Sequence, residues 1–158
     1  MSEKEFLSQL KEHQNIIYKL VHLYANSEED KKDLYQEIVL QAWKTYSAFR
    51  GNAKFSTWLY KLCLNTIFTI RRKTSRVDYV DDTSKYEEQF SSTLGSDETE
   101  RLYKAIRTLA ETERAVISLH LDGYDNKEIS ELLGVTANLV GVKLHRIKQQ
   151  LATLLKDI

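Results

Sequence analysis

The chain has 158 residues, 42% of them hydrophobic and 29% charged, and it contains no proline. This composition is typical of a globular, soluble protein of one domain or two small ones, and the lack of proline favours helices throughout. No apolar run approaches the ~18 residues of a spanning helix and no secretion signal is recognisable, so we expect a cytoplasmic protein without membrane insertion. The single cysteine, Cys63, excludes an internal disulfide and is expected to serve helix packing.

The charges balance over the whole chain but not locally. There are 23 basic and 23 acidic residues in total. The stretch 43–76 has eight basic residues and no acidic one, whereas the stretch 77–100 has one basic and eight acidic residues. An acid-free segment in a neutral chain predicts a local anion-binding surface, for which nucleic acid is the leading partner.

The first part of the chain shows three helical segments. Ser2 has capping-box spacing to Glu5, ahead of a single amphipathic helix that runs to Tyr24. Ser27 and Asp30 can cap a second helix. Residues 49–54 contain a glycine and break the periodicity, so they are expected to form a loop before the third helix.

The chain is expected to divide into two small domains. Residues 76–97 have no sustained helical period and are rich in acidic and hydroxyl side chains, which is typical of a flexible acidic linker. The predicted fold class is therefore all-α, with an N-terminal domain of three to four helices at residues 1–75 and a C-terminal domain of four helices at residues 98–158.

Three short segments of the C-terminal domain begin at cap residues. Thr112 precedes the first, Asp125 or Asn126 the second, and Thr136 the third. The last two have helix-turn-helix spacing, and the second helix of such a motif enters a DNA major groove. No acidic residue lies within 132–156, so that helix can approach phosphates without repulsion. A purely structural helical hairpin is the alternative.

The acid-free stretch interleaves cations with aromatic residues, a pattern that suits single-stranded nucleic acid. Bases stack on aromatic rings at ~1–3 kcal/mol per base while cations follow the backbone. For Arg50, Asn52 and Lys54, on the predicted loop, we favour this function. For Trp58 and Leu59, at the start of a helix, packing in the core is the favoured interpretation.

Two sets of motifs follow one another along the chain. The first set is Asp33-Leu34-Tyr35-Gln36-Glu37-Ile38, Phe49-Arg50-Gly51, Phe55-Ser56-Thr57-Trp58-Leu59-Tyr60-Lys61, Asn65 and Arg71-Arg72. The second set is Leu109, Glu113-Arg114, Gly123-Tyr124, Glu128-Ile129, Leu133-Gly134 and His145-Arg146. In order and spacing they resemble regions 2 and 4 of the extracytoplasmic-function (ECF) group of sigma-70 family sigma factors. The tandem is more specific than a helix-turn-helix alone.

The resemblance implies a role for each set of residues. Core RNA polymerase would be bound by Asp33, Leu34, Gln36 and Glu37. The melted minus-ten element would be bound by Phe49, Arg50, Asn52, Lys54, Phe55, Trp58, Lys61, Asn65, Arg71 and Arg72. The minus-thirty-five duplex would be read by Thr136, Asn138, Lys143, Arg146 and Lys148. The implied partners are thus core polymerase and promoter DNA, duplex and single-stranded, with an anti-sigma factor as an optional third.

One position departs from the family pattern. Members often carry a basic and a small polar residue in the middle of the recognition helix, where this chain has Gly141 and Val142. Gly141 costs ~1 kcal/mol of helix propensity relative to Ala. Either a close approach to DNA or to another helix needs the missing side chain, or the helix contacts fewer phosphates.

Three other classes of protein explain less of the sequence. The four histidines lack metal-ligand spacing, and no phosphate loop or nucleophile set is present, so we expect no enzyme, no metal and no cofactor. A stand-alone helix-turn-helix regulator would explain residues 110–156 but leaves the first set of motifs unused. A module that binds only protein would explain residues 33–38 but not the acid-free segment.

Overall fold

The computed structural model describes residues 2–77 and 97–156, with side chains described to residue 73 in the first range. All regular elements in these ranges are helical, which confirms the all-α prediction. A short 3₁₀ turn occupies Tyr46–Ala48. The α-helices are α1 (Glu3–Glu12), α2 (Gln14–Tyr24), α3 (Glu28–Thr45), α4 (Phe55–Val77), α5 (Asp97–Arg107), α6 (Glu111–Leu121), α7 (Asn126–Leu133) and α8 (Ala137–Lys156).

The chain divides into two compact units, Met1–Phe90 and Ser91–Ile158. The first contains α1 to α4 and the second α5 to α8. Residues 78–96, which include most of the predicted acidic linker, lie outside the described residues. The proposed domain limits at residues 75 and 98 therefore stay predictions.

The prediction of one helix up to Tyr24 is wrong, because the chain leaves helical geometry at His13 (φ −109°, ψ 15°). The His13 backbone N–H donates to the Gln9 carbonyl at 3.1 Å, and its ring Nδ1 donates to the same oxygen at 2.9 Å. These bonds satisfy the Gln9 carbonyl at the C-terminus of α1, and α2 begins at Gln14. Neither glycine nor proline marks the break in the sequence.

The predicted cap of α3 is confirmed. Ser27 Oγ accepts from the Asp30 N–H at 3.1 Å, and Asp30 Oδ2 accepts from the Asn26 N–H at 2.9 Å. Three acidic residues in the first turn also stabilise the helix, because their negative charges lie at the positive end of its dipole. The helix then packs its buried stripe against α2 and α4, and that stripe consists of Leu34, Ile38 and Ala42.

In the second unit, the predicted Thr112 cap is wrong, since α6 starts at Glu111 after Ala110 and has no side-chain cap. The Arg114 side chain instead ties the α6 start to the preceding turn, its Nε donating to the Leu109 carbonyl at 2.8 Å. The other two caps are confirmed. Asp125 forms a capping box with Glu128 at the start of α7.

The helix-turn-helix is formed by α7 and α8. Gly134 adopts φ +71°, a left-handed conformation that ends α7 and that glycine adopts without strain. Thr136 Oγ1 then accepts from the Leu139 N–H at 3.1 Å and caps α8. Helices α5, α6 and α7 all pack against α8, whose buried stripe is Val140, Leu144, Ile147 and Leu151.

Candidate nucleic-acid and polymerase interfaces

The outer face of α3 carries a stripe of exposed residues at three- and four-residue spacing. Its members, here called the α3 stripe, are Asp33, Gln36, Leu40 and Trp43. Leu40 is 43% exposed and Trp43 41%, so this face of the helix presents two large apolar side chains next to each other. A stripe of this kind suits packing against a helix of another protein.

Only part of the predicted polymerase-binding set lies on this stripe. Asp33 and Gln36 are exposed, whereas Glu37 is half-buried at its edge and accepts from Gln41 Nε2 at 3.0 Å. Leu34 is 2% exposed and belongs to the core. It points inward because helix residues 34, 38 and 42 share one face. Leu40 and Trp43 were not among the predicted residues, although their spacing from Gln36 could have found them.

Beside the stripe, two tyrosine rings stack across α2 and α3. The ring centroids of Tyr18 and Tyr35 are 5.0 Å apart and the rings are inclined by 19°. Burial, together with the hydrogen bond to the Tyr18 hydroxyl, raises the pKa of Tyr35 to about 12. The phenol is thus held in its protonated form more strongly in the folded than in the unfolded chain.

We expect a loss of stability at high pH that depends on Tyr35. Its folded pKa lies above its ordinary value of 10.0, so this contribution is present below pH 10 and is lost as the pH rises towards 12. Urea unfolding at pH 8 and pH 11 would measure it. The free energy of unfolding should fall more for the wild type than for Tyr35→Phe, and equal losses would contradict the assignment.

An aromatic cluster supports the loop between α3 and α4. The Phe6 ring of α1 stacks on Tyr46 at 4.7 Å and meets Phe55 at 6.2 Å. Phe49 lies 5.8 Å from Phe55 and 5.5 Å from Trp58, measured between ring centroids. The rings therefore fix both ends of the loop to the unit. Sequence reasoning missed the contributions of α1, since Phe6 is more than forty positions from Phe49.

The loop itself is exposed and basic. All of residues 50–54, here called the basic loop, are exposed. Gly51 has φ +76°, which permits a sharp turn. Arg50 Nη1 donates to the Ser47 carbonyl at 2.6 Å, which holds that cation at the base of the loop. Asn52 and Lys54 are the polar side chains that it presents.

The outer face of α4 continues this surface. Trp58, Lys61, Asn65 and Arg72 lie on one line of the helix, and all but the half-buried Trp58 are exposed. One aromatic ring and two cations thus lie on the same face of α4, a combination that suits a single strand. Phe55 does not reach this surface, because it is 7% exposed and lies within the aromatic cluster.

The Arg71 side chain connects α4 to the C-terminus of α2. Its Nη1 donates to the Tyr24 carbonyl at 2.7 Å, at the C-terminus of α2, and its guanidinium lies 6.0 Å from the centroid of the Tyr24 ring. Since Tyr24 is fully buried, the pair joins α4 to the end of α2. The positive charge of Arg71 is also stabilising there, because the C-terminus of α2 is the negative end of its helix dipole.

We expect Arg71→Ala to lower the free energy of unfolding of the first unit by about 1–3 kcal/mol, because it leaves the Tyr24 carbonyl without its charged donor. The adjacent Arg72 is exposed, so Arg72→Ala is the matched control and should cost less than about 0.5 kcal/mol. Urea unfolding followed by tryptophan fluorescence measures both. Equal losses of unfolding free energy in the two variants would mean that Arg71 does not hold α4 to α2 and would leave it among the candidate DNA-binding residues.

On α8, the predicted duplex-reading residues lie partly on the outer face, opposite the buried stripe, and partly on either side of that face. Asn138 and Arg146 are exposed on the side opposite the buried stripe. The half-buried Lys143 and the exposed Lys148 flank them on opposite sides, by the 3.6-residue repeat of the helix. Thr136 is the helix cap. Cations on the flanks suit phosphates on either side of a groove.

Gly141 is not required by the packing of this unit. A Cβ placed there would lie 3.5 Å from Asn126 Nδ2 of α7, an ordinary van der Waals distance. The sequence left open whether Gly141 is needed for a close approach to another helix. Within the described unit, that explanation is excluded.

The remaining special groups add no further site. Cys63 is fully buried in α4, and burial raises the pKa of its thiol. Across residues 2–77 and 97–156, His, Cys, Asp and Glu side chains form no group able to hold a metal ion. Within the same ranges, the helices are too short or too polar to cross a membrane.

These features define a two-unit helical protein with a helix-turn-helix in its second unit and a cationic, aromatic-supported surface on its first. Comparison with protein families finds sigma-70 region 2 at residues 10–77 and sigma-70 region 4 at residues 99–151. The chain belongs to the sigma-70 family, in its extracytoplasmic-function group, and the predicted family is confirmed.

Individual relatives agree with this assignment. The chain is 27% identical over 165 residues to the ECF RNA polymerase sigma factor SigG of Mycobacterium tuberculosis, covering 85% of this chain and 45% of that protein. It is 27% identical over 159 residues to SigW of Bacillus subtilis, covering 90% and 84% respectively. The chain thus spans about half the length of the first of these relatives.

Solved structures share the fold. The sigma factor RpoE of Bartonella quintana, crystallised with the anti-sigma factor NepR, has a TM-score of 0.77 at 19% identity and covers 97% of this chain and 98% of its own. CnrH, solved with the cytosolic domain of CnrY, has a TM-score of 0.69 at 19% identity and covers 99% and 90%.

Proposed function

We propose that this protein is a sigma factor that binds core RNA polymerase and directs it to specific promoters for transcription initiation. The observation that carries the proposal is the presence of both sigma-70 regions, in order, on one chain. On this proposal the protein acts in the cytoplasm, is not an enzyme and needs no cofactor. An anti-sigma factor as a further partner is supported by the complex of the structural neighbour RpoE with the anti-sigma factor NepR.

The α3 stripe is proposed to bind core polymerase. Gln36 and Leu40 lie at its centre, and the aromatic Trp43 continues it. Interface energy concentrates in a few large side chains that become fully covered, and tryptophan is frequent among them. The exposed Leu40 and Trp43 supply these large side chains, while Asp33 and Gln36 supply polar contacts that fix the pairing.

We expect Leu40→Ala to weaken binding to core polymerase at least tenfold, because it removes an apolar side chain from the centre of the stripe. Leu7→Ala is the matched control, since Leu7 is equally exposed but lies on α1. A titration of labelled protein with purified bacterial core polymerase measures both affinities. Equal affinities for Leu40→Ala, Leu7→Ala and the wild type would exclude the α3 stripe as the polymerase interface.

The basic loop and the outer face of α4 are proposed to bind the melted minus-ten strand. A base can be read on a single strand only after it leaves the stack, which costs a few kcal/mol. Stacking on an aromatic ring and cations along the backbone offset that cost. Trp58 supplies the ring, Lys54, Lys61 and Arg72 supply the charge, and the aromatic cluster holds the loop in place beforehand.

The helix-turn-helix is proposed to bind the minus-thirty-five duplex. Its recognition helix α8 carries no acidic residue and presents Asn138 and Arg146 outward. A stand-alone helix-turn-helix regulator would use only this unit. That function would not explain the α3 stripe, the basic loop or the match to sigma-70 region 2.

A further inference from the structure

The most outward ridge of α8 is partly apolar. Asn138, Val142 and Arg146 follow one another at four-residue spacing opposite the buried stripe, and Leu139 lies beside them. Leu139 is 40% exposed and Val142 44%. The described second unit covers neither side chain, although both occupy the part of the helix that a helix-turn-helix places against base edges.

The ridge is held in a defined geometry. The Thr136 cap fixes the first turn through the Leu139 N–H, and the buried stripe anchors the same turns from the opposite side. Val142 is β-branched and has one strongly preferred rotamer in a helix. The backbone of both residues and the side chain of Val142 are therefore held in defined positions.

The major groove offers one apolar group to such side chains, the 5-methyl group of thymine. Adenine, its partner, presents the N7 acceptor and N6 donor that an asparagine amide matches with two hydrogen bonds. Asn138 and Val142 are separated by about 6 Å along the helix axis, which corresponds to roughly two base-pair steps. One short A·T-containing segment can therefore meet all three side chains.

The charge around the ridge indicates DNA as its occupant. Lys143 and Lys148 flank it, Arg146 continues it, and α8 contains no acidic residue. Because every charged residue of α8 is a cation, this apolar patch fits a polyanion that carries methyl groups better than it fits an apolar protein surface.

We propose that Leu139 and Val142 are specificity-determining residues that select thymine through its 5-methyl group, with Asn138 reading adenine in the same segment. This inference rests on the proposed function, because it takes the second unit to bind promoter duplex. It adds the base class that the helix selects and assigns it to two residues for which the sequence motifs gave no role.

The test uses holoenzyme assembled from core polymerase and the full chain. Duplexes that it binds are selected from a random-sequence library placed upstream of a fixed minus-ten element. In the selected duplex, single thymines are then replaced by deoxyuridine, which removes only the 5-methyl group. We expect enrichment of A·T pairs and, at one or two positions, about a fourfold loss of affinity, as for uncovering one methyl-sized group.

The variants assign the effect to its side chains. In Leu139→Ala and Val142→Ala the deoxyuridine penalty should disappear at the position that each residue contacts, because the methyl group has lost its partner. Leu154→Ala is the matched control, since Leu154 is an equally exposed leucine farther along α8, and it should keep the full penalty. All three side chains are exposed, so the fold should tolerate each change.

The two failures are distinguishable. If the holoenzyme selects a duplex but deoxyuridine binds as well as thymine at every position, the methyl-reading inference is overturned and the proposed function stands. If no duplex is selected upstream of the minus-ten element, minus-thirty-five recognition fails, and the inference fails with it. If Leu139 and Val142 matter only for binding an anti-sigma protein, the methyl-reading inference is also overturned.

Discussion

Phe6→Ala is expected to lower the free energy of unfolding of the first unit by about 3–5 kcal/mol, the usual range for removing a buried phenylalanine ring. Phe6 is fully buried, although it lies on a ten-residue helix at the edge of the unit. It is also the buried residue that anchors α1. Its loss leaves a cavity under the Tyr46 and Phe55 rings, which support the basic loop.

Tryptophan fluorescence measures this effect in the intact chain. Both tryptophans of the sequence, Trp43 and Trp58, lie in the first unit and near the cluster, so the signal reports that unit alone. Leu7→Ala, one position along α1 and half-exposed, is the control and should cost less than about 0.5 kcal/mol. A loss below about 1 kcal/mol for Phe6→Ala would show that α1 is not an integral part of the unit.

Ile129→Ala is expected to cost about 2–5 kcal/mol in the second unit and to release α7 from α8. Ile129 is fully buried and is the buried residue of α7, whose eight residues are too few for a stable isolated helix. The capping box and the Gly134 turn define the ends of α7 but do not attach it to the unit. Without α7 the helix-turn-helix is incomplete, so duplex binding should fall with stability.

Amide hydrogen exchange of residues 97–156, followed by mass spectrometry, is the suitable measurement because the second unit contains no tryptophan. Exchange in α7 should accelerate most in Ile129→Ala. Glu131→Ala, an exposed position on the same helix, should leave it unchanged. Wild-type protection of α7 in Ile129→Ala would mean that Leu132 and Leu133, which are half-buried, hold this helix instead.

The sequence predicted features that depend on neighbouring residues. The caps at Ser27, Asp125 and Thr136 are local hydrogen bonds, and each is present. The left-handed glycine that ends α7 is equally local. These interactions involve residues three or four positions apart, so a pattern in the chain is sufficient to reveal them.

Features set by tertiary packing could not be read in this way. The break at His13 carries no glycine or proline, and the His13 ring lies against Phe55 of α4, 42 positions away, with 5.4 Å between the ring centroids. The Tyr24 carbonyl, which accepts a hydrogen bond from Arg71, is 47 positions away in the chain. The burial of Leu34 follows from its helical spacing to Ile38 and Ala42, whereas the contact between the Phe6 and Phe55 rings joins residues far apart in the chain.

The central claim is that this protein gives core polymerase promoter specificity, and run-off transcription on genomic fragments tests it most directly. Purified bacterial core polymerase is assayed with and without the protein, and permanganate marks melted thymines at the mapped start sites. Transcripts and melting at defined promoters should appear only with the protein, and Lys54→Ala should reduce melting more than initial binding. If core polymerase neither binds the purified protein nor gains specificity from it, the proposed function is contradicted.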